Sequence, residues 1–299
     1  MRVFSKVEQL IGKTPVYTME HNGSQILIKL ECFNPGGSIK DRAALAMIDA
    51  AEKSGQLKPG GVIIEPTSGN TGVGLAMIGC SRGYRVIIVM PDTMSIERRK
   101  LLSAFGAELV LTDGALRMSG AIEKAQELSQ TIPGSFIPMQ FENPANPEIN
   151  ARTTAREILE DTEGKLEGFV AGIGTGGTFT GVARVLKKEI PGIVCAAMEP
   201  LESAVISGKK PGPHGIQGIG AGFVPGNLDR SLVDKVLKVP SAQAMETARR
   251  LAKNHGLLLG ISSGAAVYAA EMLADEIGKG SRVLCVAPDT GERYLSVLY

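Results

Sequence analysis

Residues 62–91, VIIEPTSGNTGVGLAMIGCSRGYRVIIVMP, contain the pattern that decides the fold. The two ends of this stretch, VIIEP (62–66) and RVIIVMP (85–91), are short, continuous and mostly apolar runs. Runs that do not alternate with polar residues are typical of parallel strands covered on both faces. The stretch therefore predicts a strand, a helix and a second strand parallel to the first, which is the repeating unit of an α/β protein.

The same alternation continues along the chain and predicts an α/β fold with mostly parallel sheets. Further strands are expected at 26–30, 108–112, 169–173, 193–200, 234–239 and 281–288, and helices at 41–55, 95–106, 241–256 and 263–280. Glycines stand where a left-handed helix cap favours them, at Gly55, Gly106, Gly256 and Gly278. A length of 299 residues allows one large domain or two smaller domains around a shared cleft.

Two stretches interrupt this alternation. Residues 131–150 contain four prolines and are the expected crossing between two α/β halves. Residues 201–231 contain seven glycines and are too long for an ordinary connection. We therefore expect the second stretch to be a functional loop.

Charge and hydropathy exclude several classes of partner. Lys and Arg total 32 and Asp and Glu total 31, so a net charge of +1 indicates neither nucleic-acid binding nor attraction to an anionic membrane. No apolar run approaches the roughly 18 residues that span a bilayer. The first residues, MRVFSKVEQLIGKTP, show neither a signal-peptide nor a transit-peptide pattern. A cytoplasmic protein is expected.

The cysteines and histidines do not form a recognisable site. The four cysteines are far apart in apolar surroundings, which predicts buried, reduced thiols rather than disulfides or a zinc site. The three histidines are isolated from one another and from any nucleophile signature. No metal site is expected.

Three polar or glycine-rich turns follow predicted strands: NPGGSIKDR (34–42), EPTSGNTG (65–72) and GIGTGGTFTG (172–181). In open α/β sheets, ligands bind at this edge. The third turn can offer backbone N–H groups at a helix start to a phosphate. It also matches the G-x-G-x-x-G fingerprint of dinucleotide-binding proteins. The residues of that match are Gly172, Gly174 and Gly177, with Glu199 as the acidic partner.

Lys40 distinguishes among the possible phosphate-bearing cofactors. The pattern places it in the first turn of a helix behind Ser38, where the helix dipole and burial both lower an amine pKa. A solvated Lys-Asp-Arg run is the alternative interpretation. A lysine in a small-residue loop together with a separate phosphate site is what a pyridoxal phosphate enzyme requires.

Six segments together resemble the cysteine synthase (O-acetylserine sulfhydrylase) family: NPGGSIKDR, EPTSGNTG, GIGTGGTFTG, PGPHGIQGIGAGF (211–223), GISSGAA (260–266) and PDTGERYLS (288–296). The resemblance begins at QLIGKTP (9–15) and continues to the last residues. It implies two open twisted sheets with flanking helices, the tryptophan synthase β-like architecture of fold type II pyridoxal phosphate enzymes. It further implies a smaller mobile domain at 35–145, a larger domain of 1–34 plus 146–299 that holds the cofactor phosphate, and a homodimer.

The resemblance also implies a role for each matching site residue. Lys40 would form an imine with pyridoxal phosphate, Asn70 would hydrogen-bond its phenolic oxygen, and Ser262 would face its ring nitrogen. The cofactor phosphate would be held by Gly174, Thr175, Gly176, Gly177 and Thr178. The substrate carboxylate would bind to Thr67, Ser68, Thr71 and Gln140.

The implied reaction is β-replacement: O-acetyl-L-serine loses acetate and sulfide adds to give L-cysteine, with Lys40 also acting as the base. A serine hydroxyl can hydrogen-bond a neutral ring nitrogen without protonating it, which favours prompt loss of a β-leaving group. Ser263 offers the same group as Ser262, and only the resemblance chooses between them.

Several alternatives stay open at this point. A cystathionine β-synthase-like or thiosulfate-using β-replacement has similar motifs, although PGPHGIQGIGAGF resembles the sulfide-using branch. A dinucleotide-dependent oxidoreductase would leave Lys40 and the TSGNT turn unexplained. A non-catalytic binding module is disfavoured by the intact Lys40.

One departure from the family bears on a further partner. Relatives can accept the C-terminal carboxylate of serine acetyltransferase, and the TSGNT turn that would bind it is retained. Where the family commonly has a histidine followed by TTGPEI, this chain has Asn150 and TTAREI (153–158). The wall beside the cleft is therefore expected to differ.

Overall fold

The structure is a computed structural model that describes residues 3–67 and 69–299, with Arg117 described by its backbone alone. The strands are β1 (Val16–His21), β2 (Ser24–Leu30), β3 (Val62–Pro66), β4 (Arg85–Pro91), β5 (Glu108–Thr112), β6 (Ser135–Phe136), β7 (Gly168–Gly172), β8 (Val194–Pro200), β9 (Lys235–Val239) and β10 (Arg282–Ala287). The helices are α1 (Lys40–Ser54), α2 (Asn70–Ser81), α3 (Ile96–Ala104), α4 (Arg117–Thr131), α5 (Ala145–Arg152), α6 (Thr154–Thr162), α7 (Gly177–Glu189), α8 (Ser241–His255), α9 (Ile261–Ile277) and α10 (Leu295–Leu298).

Internal contacts divide the chain into two compact units. The first unit consists of Met1–Ile11 and Lys40–Ala145, and the second of Gly12–Ile39 and Asn146–Tyr299. The chain therefore passes from the second unit into the first between Ile39 and Lys40, and returns after Ala145. Whether a domain at 35–145 moves during catalysis stays a prediction.

The first unit is built on a parallel sheet in the order β5-β4-β3-β6. Its central strands are buried because apolar clusters cover both faces of the sheet. One cluster includes Ile63 and Ile88, and the other includes Ile64 and Ile87. Successive residues of one strand thus belong to opposite faces, which explains why the sequence of each strand is apolar without alternation.

The second unit is built on a sheet in the order β1-β2-β10-β7-β8-β9. All neighbouring strands pair in parallel except β1 and β2, which form an antiparallel hairpin. Apolar clusters again cover both faces of this sheet, one of them containing Val170 and Val283 and the other Phe169 and Leu284.

The predicted strands and helices are present, with ends shifted by a few residues at most, and all four predicted glycine caps have positive φ. Strands β1 and β6 were not predicted. The signal for β1 is the Asn22-Gly23 pair, since both residues have positive φ and form the two-residue turn of the hairpin. Residues 131–150, which we expected to interrupt the strand–helix alternation, contain the start of a helix, because α5 begins at Ala145 and accommodates Pro147 in its first turn.

The stretch 201–231 is irregular, as predicted, apart from short 3₁₀ turns at its two ends. Across residues 3–67 and 69–299, no helix has both the length and the hydropathy needed to cross a bilayer. The same residues contain no group of three His, Cys, Asp or Glu side chains arranged to hold a metal ion.

Candidate active site

Lys40 is the first residue of α1, as the sequence predicts, and it is half-buried. The backbone before Lys40, up to Ile39, belongs to the second unit and is fixed by hydrogen bonds within that unit. The Ile39 N–H donates to the Pro288 carbonyl (2.9 Å), and the Thr290 N–H donates to the Gly37 carbonyl (3.3 Å). Backbone hydrogen bonds therefore join two of the segments that resemble the cysteine synthase family, NPGGSIKDR and PDTGERYLS, immediately before Lys40.

Helix α2 lies close to α1 because Gly74 has no side chain. A Cβ at Gly74 would come within 2.9 Å of the Ala44 Cβ and 3.1 Å of the Lys40 carbonyl oxygen. Asn70, the expected partner of the cofactor's phenolic oxygen, is the first residue of α2. The first unit thus packs together the two helices that begin with Lys40 and Asn70.

The turn between β3 and α2 has the donors that an anion requires. Thr67 is buried, and its Oγ1 accepts a hydrogen bond from the Gly69 N–H at 3.2 Å. Since this bond uses the hydroxyl oxygen, the hydroxyl hydrogen can still be donated. Helix α2 begins directly afterwards, so its first N–H groups also point toward this turn. Ser68 lies outside the described residues.

Gln140 and Thr71 are brought together across a long separation in sequence. Both are buried, and the Thr71 hydroxyl donates to Gln140 Oε1 at 2.6 Å. The hydroxyl hydrogen of Thr71 is therefore already used, in contrast to that of Thr67. In this arrangement Thr71 has its backbone N–H, rather than its hydroxyl hydrogen, to donate to an anion.

Glu65 is a buried carboxyl group that sequence reasoning did not single out. It lies near the end of β3 and is only 2% exposed. Burial raises the pKa of Glu65 from 4.5 to about 8, although hydrogen bonds from the Met139 and Gln140 backbone and from the Gln140 side chain act in the opposite direction. The available signal was a single acidic residue in the otherwise apolar run VIIEP.

Glu65 is expected to make the protein less stable as the pH rises. In the folded protein the pKa of Glu65 is about 8, whereas the ordinary pKa of a glutamate in an unfolded chain is 4.5. The folded state therefore binds more protons between these values. The stabilising contribution of the protonated group is complete below pH 4.5 and lost as the pH rises through 8, by at most about 1.4 kcal/mol per pH unit.

Urea unfolding of the wild type and of Glu65→Gln at about pH 5.5 and about pH 7.5 measures this effect. Between the two pH values, the free energy of unfolding of the wild type should fall relative to that of the variant. The titration of all other groups affects both proteins equally and cancels in this comparison. An equal difference at both pH values would contradict the raised pKa.

The loop between β7 and α7 contains the residues expected to bind phosphate. Gly174 and Gly176 lie in this loop, and α7 begins at Gly177. A Cβ at Gly174 would come within 2.4 Å of the Gly218 carbonyl oxygen, and one at Gly177 within 2.1 Å of Asn146 Oδ1. Gly176 also has a φ of +81°. Close packing of the loop therefore requires glycine at these positions.

The donors of this loop fit a phosphate group. Thr175 Oγ1 accepts from Asn146 Nδ2 (2.9 Å) and from the Gly177 N–H (3.5 Å), so its hydroxyl hydrogen remains available to an anion. The first turn of α7 contains no acidic side chain that would compete with a phosphate. The helix dipole and the N–H groups of that turn favour an anion there. Asn146 is a supporting residue that sequence reasoning missed.

The structure separates the roles of Ser262 and Ser263. Ser263 Oγ donates to the Asp289 carbonyl at 3.3 Å, so this hydroxyl joins α9 to the segment after β10. Ser262 is buried in the first turn of α9 and faces Gly218, where a Cβ would lie 3.9 Å from Ser262 Oγ. Gly218 also lies against Gly174, so the long loop 201–231 adjoins both predicted cofactor-binding segments of the second unit.

Glu199 does not act as a dinucleotide-binding carboxylate. It is 1% exposed, and it accepts hydrogen bonds from the Ile206 N–H, the Ser207 N–H and the Ser207 hydroxyl at 2.8, 3.1 and 2.6 Å. By accepting these three hydrogen bonds, Glu199 holds the start of the 201–231 loop. The dinucleotide-binding alternative, which is based on Gly172, Gly174 and Gly177, therefore has no support from Glu199.

Asn150 has a structural role within α5 and α6. It is buried, its Nδ2 donates to the Asn146 carbonyl at 2.9 Å, and its Oδ1 accepts from the Thr154 hydroxyl at 3.0 Å. Asn150 therefore joins the start of the TTAREI helix to the helix that contains Asn146, whose side chain supports Thr175.

The four cysteines are free thiols, and His214 is held by its own loop. All four cysteines are free, and burial raises the pKa of Cys32 to about 11 and that of Cys195 to about 12. His214 accepts from the Ile216 N–H at Nδ1 and contacts the Gly220 carbonyl through Nε2 at 3.0 Å. It therefore organises the 201–231 loop.

A family model for pyridoxal-phosphate dependent enzymes matches residues 7–289. The chain belongs to this family.

Within that class, this chain is similar to proteins named for two β-replacement activities. The cysteine synthase of Staphylococcus aureus (strain N315) is 55% identical over 295 residues, which are 97% of this chain and 95% of that protein. The crystal structure of cysteine synthase from Entamoeba histolytica has a TM-score of 0.96 at 44% identity, covering 100% of this chain and 91% of that one. The O-acetylserine dependent cystathionine beta-synthase from Helicobacter pylori has a TM-score of 0.92 at 42% identity, covering 99% of this chain and 98% of that one.

These findings confirm the predicted fold class, the dependence on pyridoxal phosphate and the resemblance to cysteine synthases.

Proposed function

We propose that this protein is a cysteine synthase that converts O-acetyl-L-serine and sulfide to L-cysteine and acetate. The observation that carries the proposal is the extent of its similarity to a cysteine synthase, 97% of the chain at 55% identity. The matched region therefore includes both units, with the Lys40 helix start, the 67–71 turn and the 174–178 loop.

When bound, pyridoxal phosphate supplies an aldehyde that condenses with amines and a ring that accepts electrons from the substrate α-carbon. Lys40 would hold the cofactor through its Nζ. Asn70 would donate to the phenolic oxygen, and Ser262 would hydrogen-bond the ring nitrogen. The phosphate would be bound by the Thr175 hydroxyl and by backbone N–H groups of the residues from Gly174 to Thr178.

The substrate carboxylate would bind to Thr67, Ser68, Thr71 and Gln140. Once the substrate amine had taken its place at the cofactor aldehyde, Lys40 would accept the α-proton on its Nζ and later return it to the same carbon. The substrate would lose acetate with the electron pair of the Cβ–O bond and gain hydrosulfide at Cβ. Lys40 Nζ would then displace the product amine, so O-acetyl-L-serine and hydrosulfide give L-cysteine and acetate with atoms and charges balanced.

A panel of donors and nucleophiles tests the proposed reaction. The purified holoenzyme is incubated with O-acetyl-L-serine or L-serine, each with sulfide, thiosulfate or homocysteine, and the products are quantified by chromatography. We expect O-acetyl-L-serine with sulfide to give the highest kcat/KM. Preferred formation of cystathionine would instead favour the activity named for the Helicobacter pylori relative.

The proposal includes the assembly and location implied by the resemblance: a homodimer in the cytoplasm, with a mobile domain at 35–145 that closes when the substrate carboxylate binds. Sedimentation of the purified holoenzyme tests the dimer, and a mass of one chain would exclude it.

We also propose that the C-terminal peptide of serine acetyltransferase binds as a substrate mimic. Short peptides that end in isoleucine should bind competitively with O-acetyl-L-serine, because their terminal carboxylate would use the 67–71 turn. Amidation of that carboxylate should abolish binding, which titration followed by cofactor fluorescence can measure. Equal binding of the free and amidated peptides would remove this partner.

A further inference from the structure

Glu31 is a buried carboxyl group of the second unit that the proposed reaction does not use. It follows β2 directly, and 0% of the residue is exposed. The Thr14 hydroxyl donates to Glu31 Oε1 at 2.7 Å, and Asn34 Nδ2 donates to Glu31 Oε2 at 2.8 Å. A buried carboxyl group is unfavourable unless hydrogen bonds compensate, and these two bonds also join Glu31 to two other segments of the chain.

Both segments adjoin points where the chain passes between the two units. The chain enters the second unit at Gly12 and leaves it after Ile39. Asn34 begins the loop that leads out of the second unit, and Lys40 follows this loop directly. Glu31 therefore joins the segment that enters the second unit to the loop that leads to the proposed base.

Asn34 connects Glu31 to Gly12 as well. Its Oδ1 accepts the Gly12 N–H at 2.8 Å, and its Nδ2 also donates to the Glu31 backbone carbonyl at 2.9 Å. A backbone N–H can only donate and a backbone carbonyl can only accept, so these two groups fix the orientation of the Asn34 amide independently of the carboxyl group. Glu31 Oε2 therefore faces an amide nitrogen, which donates to it.

Thr14 is held from its other side by Lys29. The Lys29 Nζ donates to the Thr14 carbonyl at 2.6 Å, and 0% of Lys29 is exposed. The same Nζ lies 3.0 Å from Glu157 Oε2 and 2.9 Å from Asp161 Oδ2, both on α6. Thr14 thus ties Glu31 to a part of the second unit that ion pairs of a buried lysine hold in place.

The loop that begins at Asn34 is held at both ends. At its far end, the Ile39 N–H donates to the Pro288 carbonyl at 2.9 Å. At its near end, the Gly37 N–H donates to the Asn34 carbonyl at 2.8 Å. The position of Asn34 therefore determines the path of the loop toward Lys40.

We propose that Glu31 is a positioning residue for Lys40. By holding Thr14 and Asn34 together, Glu31 fixes the near end of the loop and thus the backbone that precedes Lys40. Proton transfer needs a fixed geometry, and a misplacement of about 1 Å is enough to slow a reaction strongly. Loss of Glu31 should therefore slow proton transfer more than it weakens binding of the substrate carboxylate, whose proposed turn at 67–71 belongs to the first unit.

The inference rests on the proposed role of Lys40 as the base, and the test has one readout that does not depend on that role. Hydrogen–deuterium exchange of the holoenzyme, followed at the Gly12 and Gly37 amides, reports how firmly Asn34 is held. The second readout is the steady-state rate per bound cofactor, with O-acetyl-L-serine and with the same substrate deuterated at its α-carbon. Dividing by bound cofactor removes any change in the amount of folded holoenzyme.

Thr14→Val keeps the shape of the side chain but removes the hydrogen bond to Glu31. We expect amide exchange at Gly12 and Gly37 to become about tenfold faster. The kcat should fall about tenfold, with a primary isotope effect on turnover and with KM within about twofold of the wild type. Thr14→Ser retains the hydroxyl and should stay within about twofold of the wild type in every readout.

Glu31→Leu and the double variant Glu31→Leu/Thr14→Val decide whether Thr14 acts through Glu31. Glu31→Leu removes both bonds of the carboxyl group and should lower kcat at least as far as Thr14→Val does. The double variant should match Glu31→Leu, since coupled residues are not additive. A full further loss in the double variant would overturn the proposal. Thr14→Val with Thr14→Ser carries the test if Glu31→Leu does not fold.

Thr18→Val is the matched control, because it makes the same chemical change at an exposed position of β1 in the same unit. It should equal the wild type in exchange and in rate. Unchanged exchange in Thr14→Val, or a fall in kcat without an isotope effect, would overturn the positioning role. If the wild type formed no cysteine, the proposed function would fail, whereas exchange would still decide whether Glu31 holds the loop before Lys40.

Discussion

Replacement of Lys40 by alanine is expected to abolish turnover and the visible absorbance of the bound cofactor while leaving the fold intact. The variant removes the amine proposed both to hold the cofactor and to transfer the α-proton. Proton transfer by a positioned side chain alone contributes about 10²- to 10⁴-fold. Loss of the amine that holds the cofactor adds to this effect, so we expect kcat to fall by about 10⁴-fold or more. Lys40 begins α1, and alanine is the best helix former, so the helix should persist.

Borohydride reduction of the wild-type holoenzyme followed by peptide mapping identifies the modified lysine. The matched control is Lys53→Ala, which removes an exposed lysine from the last turn of the same helix. This control should retain the absorbance band and the activity. A reduced cofactor attached to any lysine other than Lys40 would contradict the assignment.

Replacement of Gly177 by alanine is expected to weaken cofactor binding about 5- to 150-fold, the range that corresponds to about 1–3 kcal/mol of overpacking. The new Cβ would lie 2.1 Å from Asn146 Oδ1 and 2.4 Å from its Cγ. Alanine would favour the helix by up to about 1 kcal/mol over glycine. The clash is the larger effect, because Asn146 is buried and holds Thr175.

Dialysis of the holoenzyme followed by absorbance measures how much cofactor each variant retains. The Asn146→Ala background provides the control, because it removes the atoms that the new Cβ would meet. In that background, Gly177→Ala should have a smaller effect on the dissociation constant. An equal effect in both backgrounds would show that the clash with Asn146 is not the cause.

The sequence was sufficient to predict most of the secondary structure. RVIIVMP predicts β4 at its observed bounds, because a strand covered on both faces must be apolar throughout. Gly55 and Gly256 mark helix ends, because their positive φ is unfavourable for other residues. Strand β1 was missed because it is an edge strand whose residues are only partly buried, so its sequence lacks the continuous apolar run.

The site, too, has a part that the sequence identifies and a part that only the fold brings together. Lys40 and Gly177 stand out in local patterns, and Asn70 was assigned through the family resemblance; each of the three lies at a helix start. The contacts around them are not local. Thr71 and Gln140 are separated by 69 residues, and Asn146 and Thr175 by 29.

By itself, the sequence determined the α/β class, the order of most strands and helices along the chain, and the turns that offer N–H groups to an anion. These features depend on interactions between residues a few positions apart, which the sequence displays directly. Only the tertiary structure decided that Thr71 meets Gln140, that Asn146 supports Thr175, and that Glu199 is held by its own loop. A side chain's hydrogen-bond partner depends on which segments pack together in three dimensions, and nothing in the local pattern around Thr71, Asn146 or Glu199 specifies that packing.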